Sequence, residues 1–170
     1  VTTQGAAVVS GYWNVDNTSI DVVVPVANDA SLTGGTIQVQ ANVASGGFEN
    51  LGATHTILVG ELNTNVTLNF TAATFEALSG TLAEGESIVF NAIIVDTHGN
   101  ATTGANSSQT IVVDRVGPIV SDMDIYDTNN DGFVDQIVIT FNENVDTDNG
   151  SAPVFADLGT LILPDGSTLT

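Results

Sequence analysis

Residues 127–135 read Asp127-Thr128-Asn129-Asn130-Asp131-Gly132-Phe133-Val134-Asp135. Oxygen-bearing side chains fall at every second position, a glycine follows, and another carboxylate comes three residues after the glycine. That spacing lets one short loop fold around a hard cation. Asp127, Asn129 and Asp131 turn inward, Gly132 permits the sharp bend, Phe133 offers its backbone carbonyl, and Asp135 closes the ring directly or through water. The cation such a ring of oxygens suits is Ca2+. A helix-loop-helix calcium loop carries a bidentate glutamate at its twelfth position, where this chain has Val138. Residues 136–141 alternate apolar and polar and predict a strand, not a helix. The expected site is therefore a calcium loop on a β framework, its missing ligand supplied from Asp122, Asp124 or Glu143. The competing reading is a metal-free turn, because Asp, Asn and Gly dominate turns for conformational reasons.

The elements that must carry this loop are strands. Residues 18–26, 36–43, 54–59, 65–70, 87–95 and 109–114 are short, rich in β-branched residues and bounded by Gly, Asn, Asp and Ser clusters, the pattern of a two-sheet sandwich. Pro25 marks an edge or a strand end, and residues 87–95 are the most apolar and so the central strand. Residues 71–78 are the one short helix expected, with Thr71 as its cap and Phe75 and Leu78 on one face. Asp114-Arg115-Val116-Gly117-Pro118 ends one pattern before another starts at Ile119. The reading is all-β: an Ig-like sandwich over residues 1–114, and over 115–170 part of a second calcium-binding β-sandwich module. The second segment offers strands at 119–126, 135–141 and 155–163, about half of a sandwich, which needs roughly 100 residues.

Composition narrows the function. Net charge is −19, with Arg115 the only basic residue besides two histidines. Nucleic acid is excluded as a partner, because phosphate binding needs clustered Lys and Arg. No run of 18 apolar residues exists, so no membrane-inserted helix is expected. Val1-Thr2-Thr3-Gln4 resembles no signal peptide, which reads as a mature product or an excerpt. Eight carboxylates fall between Asp122 and Asp148, against nine in the first 113 residues, and such clustering favours a metal site over a uniformly acidic surface. Cysteine is absent, so core packing and metal, not disulfides, must hold the fold.

Other polar residues carry weaker signals. Asp114, at the last strand position before the boundary, is a candidate ligand for calcium between modules. Asp96, before His98 and Asn100, reads as a turn stabiliser. His55 and His98 have no neighbours at transition-metal spacing. Neither a Gly-x-Ser-x-Gly elbow nor a phosphate loop occurs, so no enzyme is expected. Tyr12, Trp13, Phe48 and Tyr126 could together form a sugar-stacking platform, although Trp13 also suits a core.

Gly11-Tyr12-Trp13-Asn14, Val24-Pro25-Val26, the Phe48-Glu49-Asn50 turn, Thr71-Ala72-Ala73 and residues 94–100 resemble the Ig-like repeats of giant surface adhesins from gliding and filamentous bacteria. Residues 116–121, the 127–135 loop and Ile139-Thr140-Phe141-Asn142-Glu143-Asn144-Val145 are similar to another repeat of such proteins. The resemblance implies a secreted, multi-module stalk on the cell surface, stiffened by calcium. Its partners would be neighbouring modules or identical subunits, and beyond them cell-surface glycans or proteins. The alternatives are a self-assembling filament or surface-layer subunit, completed by strand addition with residues 1–10 as donor, and a carbohydrate-binding module.

Overall fold

Inward-facing residues at every second position build the first sheet of the sandwich. In β3 (Asn17–Pro25) the buried Ile20, Val22 and Val24 alternate with more exposed residues, as the two-residue side-chain period of a strand dictates. β3 pairs antiparallel with β1 (Thr2–Gly5) on one side and β7 (Asn65–Thr71) on the other. The computed structural model describes residues 1–6, 8–78 and 82–142 together with the strands Leu161–Ile162 and Thr168–Leu169. The chain divides into two units, Val1–Val116 and Gly117–Thr170.

The facing sheet of the first unit runs β2 (Tyr12–Trp13), β10 (Ile111–Val113), β8 (Ser87–Val95), β4 (Thr36–Val43), β5 (Phe48–Asn50). β6 (His55–Thr56) adds to β4, and β9 (Ala101–Thr103) to β8. β2 lies parallel to β10, and the other pairs are antiparallel. With the two-residue strands set aside, β1, β3 and β7 form one sheet and β10, β8, β4 and β5 run across the other, an immunoglobulin-type order. β8 is the central strand, bonded to β4 along its length from Thr36↔Val95 to Val43↔Ile88. Ile37, Val39, Ala41 and Val43 of β4 meet Ile88, Phe90 and Ala92 of β8 and the inner residues of β3 and β7 in one buried cluster. Burying each Val, Ile or Phe side chain among them contributes roughly 1.5–3 kcal/mol, and each alanine methyl about 0.8 kcal/mol.

Helix α1 (Ala72–Glu76) closes one end of this core. Thr71 caps it, its hydroxyl accepting from the Thr74 N–H at 3.3 Å. Phe75 is fully buried, edge-on to Trp13 with ring centroids 4.6 Å apart and stacked on Phe90 at 6.0 Å.

Departures from the expected elements have local causes. The segment 48–50, expected as a turn, is strand β5, because Phe48, Glu49 and Asn50 pair with Asn42, Ala41 and Gln40. The strand expected over 54–59 stops at Thr56 and gives way to a 3-10 turn at Val59–Glu61. There the Glu61 carboxylate accepts from the Leu58 N–H at 2.8 Å and meets His55 Nε2 at 2.9 Å. Those partners, Leu58 first and His55 second, hold the Glu61 carboxyl below the usual glutamate range. A depressed folded-state pKa means that the stabilisation is present above the unfolded value of about 4.3 and is lost as pH falls through the lowered one. Glu61→Gln is therefore expected to flatten the acid side of the stability curve between about pH 5 and 3. Thermal unfolding of both proteins from pH 6 downward checks this, and parallel acid limbs would refute it.

In the second unit β11 (Val120–Tyr126) and β12 (Gln136–Phe141) form an antiparallel hairpin, and β13 (Leu161–Ile162) pairs with β14 (Thr168–Leu169). Register places Met123 opposite Ile139 and Ile125 opposite Ile137 on one face, with Asp122, Asp124 and Tyr126 on the other. Met123 and Ile125 each keep 39% of their surface exposed. Most of the strand expected over 155–163 lies outside the described residues, apart from Leu161–Ile162.

Candidate functional site

The loop 127–135 is the connection of the β11–β12 hairpin. Its ends are tied where Tyr126 pairs with Gln136 and the Asp135 N–H donates to the Tyr126 carbonyl at 2.9 Å. Two residues take the left-handed conformation, Asn130 at φ 58° and Gly132 at φ 89°. Asparagine and glycine tolerate that region best, which explains these residue types at these positions.

Inside the loop the candidate ligands are organised by amide donors. Asp127 accepts from Asp131 N at 3.2 Å and Gly132 N at 2.9 Å. Asn129 Oδ1 accepts from Asp131 N at 2.9 Å, and its Nδ2 donates to Asp131 Oδ2 at 3.1 Å. Asp131 Oδ1 accepts from Phe133 N at 2.9 Å. Asp135 Oδ2 accepts from the N–H and hydroxyl of Thr128 at 2.8 and 2.7 Å, and from Asn129 N at 3.2 Å. Thr128 is the largest cause that holds the Asp135 carboxyl below its ordinary range. Thr128 was missed from sequence because it falls between the alternating ligand positions; its signal is a hydroxyl one residue after the first ligand.

The loop thus brings Asp127, Asn129, Asp131 and Asp135 onto one short connection. Asp122 and Asp124 stand on the preceding strand instead, Asp122 bonded to its own neighbour Met123 N at 2.9 Å and Asp124 to the Tyr126 hydroxyl at 3.3 Å. Asp124 raises the pKa of that phenol. Glu143 lies outside the described residues. Asp114 is half-buried just after β10, its N–H donating to the Trp13 carbonyl at 2.9 Å. Among the described residues no three His, Cys, Asp or Glu side chains converge into a cation-holding group. The donor types nonetheless suit a hard cation. An ionised carboxylate has about four lone-pair directions, so the two hydrogen bonds accepted by Asp127 and by Asp131, and the three accepted by one oxygen of Asp135, leave room for a metal.

The remaining polar residues resolve into structural roles. Asp96 accepts from Asn100 through both its amide groups and from His98 N at 2.8 Å, and Asn100 foremost keeps its carboxyl below the usual value. His55 pairs with Glu61. Trp13 is fully buried, its indole N–H donating to Glu76 Oε1 at 3.3 Å. It therefore has no face to offer a sugar ring.

Fold and loop together define an all-β protein, an Ig-type sandwich followed by a hairpin whose connection is dense in hard oxygen donors. Comparison with known proteins gives no match to a protein family, to a curated protein or to a solved structure.

Proposed function

We propose that this chain is a structural, non-enzymatic segment of an extracellular, modular surface protein, a calcium-stiffened adhesin or stalk. The observation that carries the reading is the loop 127–135. Asp127, Asn129 and Asp131 at alternate positions, and Asp135 four residues further on, are held by loop amides and the Thr128 hydroxyl on the connection of one hairpin. Calcium bound there would neutralise carboxylates in a chain of net charge −19 and resist opening of the hairpin. Extracellular modules bind calcium at about 10⁻⁴–10⁻³ M, and a site held at 100-fold saturation adds about 2.7 kcal/mol to folding.

Thermal unfolding across a calcium titration tests this. Millimolar calcium is expected to raise the midpoint by several degrees, magnesium is not, and Asp131→Ala is expected to abolish the gain. A midpoint indifferent to calcium would leave the segment a plain Asp/Asn/Gly turn.

A second reading, a filament or surface-layer subunit completed by strand addition, has one observation in its favour. β1 pairs with β3 only from Asn17 to Asp21, so residues 22–25 have an open edge beside a cleft of about 350 Å³ lined by Val22, Val24, Phe90 and Ala92. An extended segment could add there. Against residues 1–10 as the donor, Thr2–Gly5 already pairs within its own chain. Size-exclusion chromatography in calcium separates the readings, and a monodisperse monomer counts against assembly.

A further inference from the structure

Arg115 is the only lysine or arginine in 170 residues, and it stands next to Val116, the last residue of the first unit. An arginine-specific endopeptidase therefore has one peptide bond to cut, Arg115–Val116, and the cut would part the sandwich from the 127–135 loop. By position the bond is accessible: Val116 is 44% exposed, and Gly117 and Pro118 continue in exposed, irregular chain.

By bonding it is held. One carboxylate oxygen of Glu84 accepts from the N–H of Arg115 at 2.8 Å and from that of Val116 at 3.2 Å. The Asp114 N–H is engaged by the Trp13 carbonyl at 2.9 Å. The Arg115 guanidinium is ion-paired with Glu76, whose same oxygen accepts from the Trp13 indole. A serine-type protease needs its substrate extended, with the arginine swung into an acidic pocket and the flanking amides bonded to the enzyme. Here three successive amides and the side chain are already bound within the first unit.

We propose that Glu76 and Glu84 guard the single arginine-specific cleavage site of this chain, so that the Arg115–Val116 bond is a substrate only when these contacts open. The chemistry guarded against is simple hydrolysis. Water adds across the amide, the C–N bond breaks, and a carboxylate on Arg115 and an amine on Val116 remain, with no change in oxidation state. Cleavage of a native chain tracks the population of the open form when opening is fast, and charge-assisted bonds of this kind set that population.

The test is trypsin digestion of the full chain well below its unfolding midpoint, following fragments 1–115 and 116–170 by mass spectrometry. Trp13 emission verifies that each variant is folded. The wild-type chain is expected to be cut at least about tenfold more slowly than a peptide spanning residues 110–120, and Glu84→Ala to be cut about tenfold faster than wild type with Trp13 emission unchanged. Glu76→Gln is expected to act in the same direction, and Arg115→Ala to remain whole. Because Glu84 is exposed, Glu84→Ala carries the decision even if Glu76→Gln loosens the core. A wild-type chain cut as fast as the peptide, or a Glu84→Ala chain cut no faster than wild type, overturns the proposal.

Discussion

Phe75→Ala is expected to lower the stability of the first unit by about 3–5 kcal/mol. Phe75 is fully buried and lies between two other buried rings, edge-on to Trp13 and stacked on Phe90. Truncation removes the transfer energy of the ring, leaves a cavity, and forfeits two aromatic contacts worth about 0.5–1.5 kcal/mol each beyond their area. It also detaches α1, because Phe75 is the only buried residue of that helix. Against a total stability of about 5–15 kcal/mol for a typical domain, the loss is large, and the midpoint should fall by more than about 10 °C. Trp13 is the only tryptophan and touches the site, so its emission during urea unfolding reads the change directly. A loss below about 1 kcal/mol would mean that the ring cluster is not the centre of the core.

Gly35→Ala is expected to cost about 1–3 kcal/mol, with the upper end favoured. Gly35 is buried just before β4. A Cβ there would lie far inside contact distance of the Val95 carbonyl oxygen and 3.0 Å from that of Leu32. Both obstacles are backbone, so no side chain can swing away. The Val95 carbonyl belongs to β8 at the point where Thr36 pairs with Val95, and moving it disturbs the longest ladder of the sandwich. Gly60→Ala is the matched control, since nothing lies within 4 Å of its added Cβ; it is expected to change stability by less than about 0.5 kcal/mol. Equal changes at the two positions would show that the close approach does not set the cost at Gly35, since the unfolded-chain entropy removed by Gly→Ala favours folding at both.

Much of this was legible in the residues. The long strands show because their inward faces are continuous: Ile37, Val39, Ala41 and Val43 alternate without a break in β4, and β8 is apolar because neighbouring strands bond it on both edges. The capped helix at Thr71 was legible for the same local reason. The short strands were not. β2 is two residues long and β5 three, too brief for any period to show, and both exist because a neighbouring strand offers an open edge. The ligand positions of the loop follow from spacing. Thr128, which anchors Asp135, does not, because its role depends on where the hairpin ends meet.

By itself the sequence determined which stretches are β and where hard oxygen donors recur at alternate positions, because side-chain period and turn chemistry are local. Only the tertiary structure decided what Glu76, Glu84 and Trp13 do for Arg115. Those residues lie from 31 to 102 positions away along the chain and meet only because the last strand of the sandwich returns beside β2. Nothing local in the sequence marks the one arginine of the chain as held rather than free, since that depends on strand order, a property of the closed core.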